Sequence, residues 1–165
     1  MTETVYDMVI LGAGSGGYAA ALRGAQLGLK VALIEADKLG GTCLHRGCVP
    51  TKALLHAAET ADAVREAATV GIKAAFEGVD MPGVQKYKNS IVSRMHKGLE
   101  GLVSSRGIDL IQGWGRLVAA DAVEVDGRRI TGRNVVVDPR VKGTMTLTST
   151  APVSPAEAMR LFGAP

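Results

Sequence analysis

Two cysteines, Cys43 and Cys48, stand five residues apart in the stretch Gly40-Gly-Thr-Cys43-Leu-His-Arg-Gly-Cys48-Val-Pro-Thr-Lys52, at the start of an expected helix. A helix beginning near Cys48 turns its free backbone N–H groups and the positive end of its dipole toward the sulfurs, which stabilises a thiolate and lowers the thiol pKa. A thiolate at neutral pH is what redox exchange requires. Sulfurs at this spacing can bond locally only where the turn between them is not regular helix, and Gly47 favours such a break. These are the only cysteines in the chain. No export signal precedes them, so a pair that cycles is expected rather than an extracellular staple. A buried thiol pair or a plain structural bridge is the competing reading.

Upstream lies Gly12-x-Gly14-x-x-Gly17, with Glu35 23 residues after Gly12 and Ala36 next to it. The pattern follows an expected strand and opens an expected helix, which is the context a dinucleotide site needs. Gly12 permits the tight turn, Gly14 lets backbone approach a pyrophosphate, and Gly17 lets helix and strand close up. Ser15 and Gly16 offer N–H groups to phosphate oxygens, and Glu35 is placed to accept hydrogen bonds from a ribose hydroxyl.

These residues need a frame to hold them. Tyr6 to Leu11 and Lys30 to Glu35 are short apolar runs, and the Ala-rich segment between them ends at Gly28, which predicts a βαβ crossover. A second helix is expected from about Pro50 to Ala68, then a loop over Gly71 to Gly83. Val84, Tyr87, Ile91, Met95, Leu99 and Leu102 step by three or four and predict a third helix with that stripe in the core. Ile108 to Ile111 reads as a strand parallel to the first two. Arg116 to Ala119, Ala122 to Val125 and Arg128 to Thr131 read as a small antiparallel meander, with Asp126-Gly127 as a tight turn and Asn134 to Val137 as a separate buried strand. The expected fold class is α/β, a Rossmann-like domain with a parallel sheet, flanking helices and a small antiparallel β-meander.

The composition agrees: the 165 residues are 47% apolar with 21 glycines, and aromatics are only 4%, which suits helices lying close against a sheet. The formal net charge is +3 and its cations are dispersed, a pattern that argues against nucleic acid. No apolar run is long enough to span a membrane, and a cytoplasmic location is expected. His45, beside Arg46, is expected to be solvated; His56 and His96 sit on helices without a partner pattern, and no metal set emerges. Trp114 and Gly115 follow a strand end, where backbone can meet an adenine ring or simply turn.

With these residues in view, about the first 137 positions resemble the FAD-binding domain of the pyridine nucleotide-disulfide oxidoreductases. The segment GGTCLHRGCVPTKALLHAAE is similar to the redox-active region of the lipoyl-oxidising branch; glutathione and mercuric reductases share the Cys-x4-Cys spacing but usually differ in the residues around it. The resemblance implies an FAD enzyme that oxidises a lipoyl group carried by the acyltransferase of a 2-oxo acid dehydrogenase complex, passes two electrons to NAD, and works as a homodimer. It implies that Cys43 exchanges with substrate and that Cys48 lies against the flavin as its charge-transfer thiolate. Gly12, Gly14, Gly17, Glu35, Gly41, Thr42, Lys52 and Gly115 would touch FAD, with Lys52 facing the isoalloxazine.

The departures from the family also carry expectations. Where its last strand leads into an Ala-Thr-Gly segment near the cofactor, this chain has Asp138-Pro139-Arg140. A second Gly-rich fingerprint for NAD and the interface domain are absent from the sequence. The expected organisation is therefore a truncated copy: an FAD-binding domain over 1–138, incomplete at its C-terminal end, and an unassigned tail over 139–165 with a short helix near 155–162. Such a chain is not expected to turn over alone. A non-catalytic fragment with weak or no FAD binding, and a glutathione or mercuric reductase fragment, are the alternatives.

Overall fold

The structure is a computed structural model and describes residues 5–138. The tail over 139–165 and the helix expected near 155–162 lie outside the described residues. Strand β1 (Val5–Leu11), helix α1 (Ser15–Gln26) and strand β2 (Val31–Glu35) form the expected crossover. The two strands are parallel, with Met8 opposite Val31 and Leu11 opposite Ile34. Val9, Ile10, Leu33 and Ile34 are fully buried, as expected for central parallel strands covered on both faces. Strand β3 (Asp109–Gln112) adds beside β2 in parallel. It forms the sheet edge, which leaves its Leu110 exposed.

On the other side of β1 the chain departs from expectation. Segments 128–131 and 134–137 are not two strands but one, β6 (Arg128–Val137). Its first part pairs antiparallel with β5 (Ala122–Val125), which in turn pairs antiparallel with β4 (Gly115–Ala119); its second part pairs in parallel with β1. Gly132 explains the continuity. A side chain there would lie 2.7 Å from the Val9 Cγ2, so a glycine is needed where β6 comes close beside β1. The sheet order is β3-β2-β1-β6-β5-β4. The end of β6 is less covered than expected: Asn134 is exposed and Val135 to Val137 are half-buried.

Alternating side chains divide the core. Ile10, Leu33, Ala21, Leu44, Leu99 and Val103 pack on the helical side of the sheet, and Val9, Leu11, Ile34, Val123 and Val125 pack on the side folded over by the meander. The helical side carries α1, the short helix α2 (Gly41–His45), α3 (Cys48–Glu66) and α4 (Met81–Ser105). A 3-10 turn over Ala67–Val70 closes α3. Helix α2 is an addition to the sequence reading. Helix α3 starts at Cys48 rather than Pro50, and α4 starts three residues before the expected Val84, since Pro82 sits in its first turn, where a missing N–H does no harm.

The apolar stripe on α4 is only partly core. Leu99 and Val103 are buried, whereas Tyr87, Met95 and Leu102 are 40–49% exposed. The helix is 25 residues long, its buried residues lie near its C-terminal end, and it packs against α3 more than against the sheet.

Candidate functional site

The glycine turn joins β1 to α1. Gly12 has φ +96°, a left-handed conformation that favours glycine, and its N–H donates to the Ile34 carbonyl at 2.8 Å. A Cβ on Gly17 would run into the Gly12 carbonyl oxygen. The first turn of α1 therefore lies directly on the strand end, a fit only glycine allows. Gly14 occupies the N-cap and makes no side-chain cap. Glu35, at the end of β2, accepts the Ala13 N–H at 2.8 Å through one oxygen and the Asp37 N–H at 2.9 Å through the other. It thus ties the glycine turn to the loop beyond β2.

A groove of about 470 Å³ opens along this turn. Of the residues picked out in the sequence, Gly12, Gly14, Glu35, Ala36, Gly41, Thr42 and Gly115 line it. Ser15, Gly16, Gly17 and Lys52, the last exposed on α3, are not among its lining residues. Trp114, 69% exposed, stands on its rim. Gly115 is held close: a Cβ there would lie 3.0 Å from Ile34 and 3.1 Å from Val123.

Cys43 and Cys48 form a disulfide, with Cα atoms 4.7 Å apart. Helix α2 ends at His45 and α3 begins at Cys48, so Arg46 and Gly47 supply the non-helical break that the bond requires. Cys43 is half-buried and Cys48 is exposed. The sulfurs do not line the groove themselves, but Thr42, His45 and Arg46 beside them do. Gly41, at φ +59°, brings this segment against the glycine turn: a Cβ there would lie 2.9 Å from the Gly14 Cα.

His45, Arg46 and Asp138 also line the groove and were not assigned to the site by the sequence. His45 is half-buried rather than solvated; its Nε2 donates to the Leu39 carbonyl at 2.9 Å, and its ring meets His96 edge-on at 4.8 Å between centroids. His96 accordingly has partners, His45 and Glu100, the latter at 3.2 Å. Arg46 pairs with Asp37 at 2.7 Å across the groove rim, an exposed contact of small energetic weight. Asp138 is 5% exposed, and its carboxylate accepts the Gly17 N–H at 3.3 Å. A position just past the last strand carries no local signal that would place it at the start of α1. Among the described residues, no His, Cys, Asp and Glu group could hold a metal ion, and no helix is long and apolar enough to cross a membrane.

A glycine turn and a disulfide are carried side by side on one α/β frame. The family model described as pyridine nucleotide-disulphide oxidoreductase matches residues 6–137, and the chain belongs to that family. A second model, GspD-like N0 domain, matches 125–164; it overlaps the end of the first, spans less than half of the chain and assigns no family. The dihydrolipoyl dehydrogenase of Bacillus subtilis is 48% identical over 115 residues, which is 70% of this chain and 24% of that protein. Those of Thermus scotoductus and Chlamydia pneumoniae are 40% and 43% identical, over 80% and 76% of this chain and 28% and 27% of theirs. The chain spans about a quarter of the length of these relatives.

Proposed function

We propose that this chain is the FAD-binding, disulfide-bearing part of a dihydrolipoyl dehydrogenase. The reading rests on one observation: Gly41 and Gly14 are in contact, so the segment carrying Cys43–Cys48 is fastened to the glycine turn. The residues present fit a dinucleotide. Gly12 makes the turn, Gly14 leaves room for a pyrophosphate, and the start of α1 turns its backbone N–H groups toward an anion. Glu35 and Ala36 would meet the adenosine ribose, Gly41, Thr42 and Gly115 would line the remainder, and Ser15, Gly16, Gly17 and Lys52 complete the proposed set. FAD, when bound, supplies a two-electron acceptor.

The disulfide would take electrons by exchange. A thiolate of a dihydrolipoyl group attacks the Cys43 sulfur, forming a mixed disulfide and releasing the Cys48 thiolate. The second substrate thiol then attacks the mixed disulfide, so that lipoyl leaves oxidised and Cys43 and Cys48 are left as the reduced pair. In the complete reaction NAD is the final acceptor. In the full-length enzyme the substrate carrier is the acyltransferase of a 2-oxo acid dehydrogenase complex and the assembly a homodimer; the compartment is the cytoplasm. The dispersed surface charge supports neither nucleic acid nor membrane as a partner.

Equilibrium dialysis against FAD tests the reading. Saturable one-to-one binding is expected, and reduction should free two thiols per chain. Absence of saturable binding, by wild type and by every variant described below, would reject it. Asp138 at the start of α1 favours a second reading, a non-catalytic fragment with weak or no FAD binding; absence of saturable binding in the same dialysis would favour it.

A further inference from the structure

The first turn of α1 has no acidic side chain of its own, and its N-cap, Gly14, provides no capping group. An anion nevertheless stands there. Asp138, 121 residues further along the chain, accepts the Gly17 N–H through Oδ2 at 3.3 Å. A Cβ on Gly14 would lie 2.5 Å from the same oxygen, and one on Gly16 would lie 3.9 Å from the carboxylate. The carboxylate is therefore laid over the glycine turn, against the backbone that a phosphate would approach. Its own backbone is held in place: β6 runs beside β1 from Thr131 to Val137, and the Asp138 N–H donates to the Leu11 carbonyl at 2.9 Å. The side chain is 5% exposed, so water screens it poorly.

We infer that Asp138 is an internal anion that occupies the phosphate turn and sets a low affinity for any ligand carrying a pyrophosphate there. The positive end of one helix stabilises one anion well. A pyrophosphate brought to the same N–H groups meets a buried carboxylate, where like charges repel strongly, and it must displace that side chain or share its donors. The same contact supports the fold when no ligand is bound, because it satisfies a helix N–H that otherwise lacks an intrahelical partner. Affinity and stability are thus set against each other in one residue. This inference rests on the groove being a dinucleotide site.

The test compares wild type, Asp138→Ala and the isosteric Asp138→Asn by equilibrium dialysis with FAD, with adenosine as a ligand that lacks phosphate, and by thermal unfolding without ligand. Asp138→Ala is expected to bind FAD at least about tenfold more tightly than wild type, given the removed repulsion. Asp138→Asn should fall between them, adenosine binding should not change, and both variants should melt below wild type. If Asp138→Ala does not fold, the Asp138→Asn comparison decides. Equal FAD affinity in all three proteins overturns the inference and leaves the proposed function standing. A gain shared equally by adenosine overturns it too, since that would mark relief of crowding rather than of charge. Failure of every variant to bind FAD overturns both.

Discussion

Gly41 rests against Gly14: a Cβ on the former would lie 2.9 Å from the Cα of the latter. One residue belongs to the segment that carries the disulfide and the other caps α1, so their contact fixes the distance between the sulfurs and the glycine turn. Two glycines allow this approach because neither has a side chain to hold the backbones apart.

Gly41→Ala should therefore strain both partners. Gly41 has φ +59°, and a residue with a Cβ held in that conformation costs about 1–2 kcal/mol. Urea unfolding should show a lower midpoint with an unchanged slope, and FAD affinity should fall with it.

Gly17→Ala should act on the other side of the turn. Its Cβ would meet the Gly12 carbonyl oxygen, so α1 has to move away from β1. Loss of FAD binding is expected, with helix content by circular dichroism close to wild type; unaltered FAD affinity would contradict the role given to this glycine.

The two sulfurs should differ in reactivity once reduced. Cys48 is exposed and opens the 19-residue helix α3, whereas Cys43 is half-buried. In the FAD-free protein Cys48 should be alkylated faster at neutral pH, as a helix N-terminus favours thiolate. Added FAD should slow Cys48 and leave Cys43 nearly unaffected, which peptide mass spectrometry can measure. Equal protection of both would count against Cys48 as the sulfur beside the flavin.

Tyr6 supplies a pH test of the sheet. Its hydroxyl donates to Asp109 Oδ2 at 2.9 Å, reaching from β1 past β2 to β3. Burial, then the hydrogen bond to Asp109 and the charge of that carboxylate, raise its pKa above the ordinary 10.0. The folded state thus holds the phenolic proton more tightly than the unfolded chain. Its contribution is complete below about pH 10 and is lost as pH rises through the raised folded value. Tyr6→Phe should cost about 0.5–1.5 kcal/mol at neutral pH. The gap to wild type, read from urea midpoints, should narrow in alkali.

Local patterns made much of this molecule legible. The βαβ unit announces itself by two apolar runs around an Ala-rich helix, because burial on both faces of a parallel strand leaves a continuous apolar stretch. Gly12 and Gly17 are readable for a similar reason: a positive φ and a helix laid against a strand both demand glycine where they occur. The disulfide depends on residues only five apart, and Gly47 marks the break between them.

Other features depend on partners distant in the chain. The α4 stripe is periodic along its length, yet of its residues only Leu99 is buried, because periodicity records a face and not what covers it. His45 meets His96, 51 positions later, and neither neighbourhood hints at the other. β6 reads as two pieces until Gly132 is seen paired beside β1, close to the Val9 side chain.

By itself, the order of residues determined an α/β domain, a glycine turn at Gly12 to Gly17, an acidic residue at the end of the second strand and a pair of cysteines able to bond. Those properties rest on backbone conformation and near neighbours, which short segments encode. Only the tertiary structure decided that the disulfide segment abuts the turn through Gly41, and that the Asp138 carboxylate lies over the start of α1. The second contact follows from sheet order, since pairing β6 beside β1 carries residue 138 to the mouth of the glycine turn, and the first from the loop after β2, whose Gly40 N–H donates to the Ala13 carbonyl.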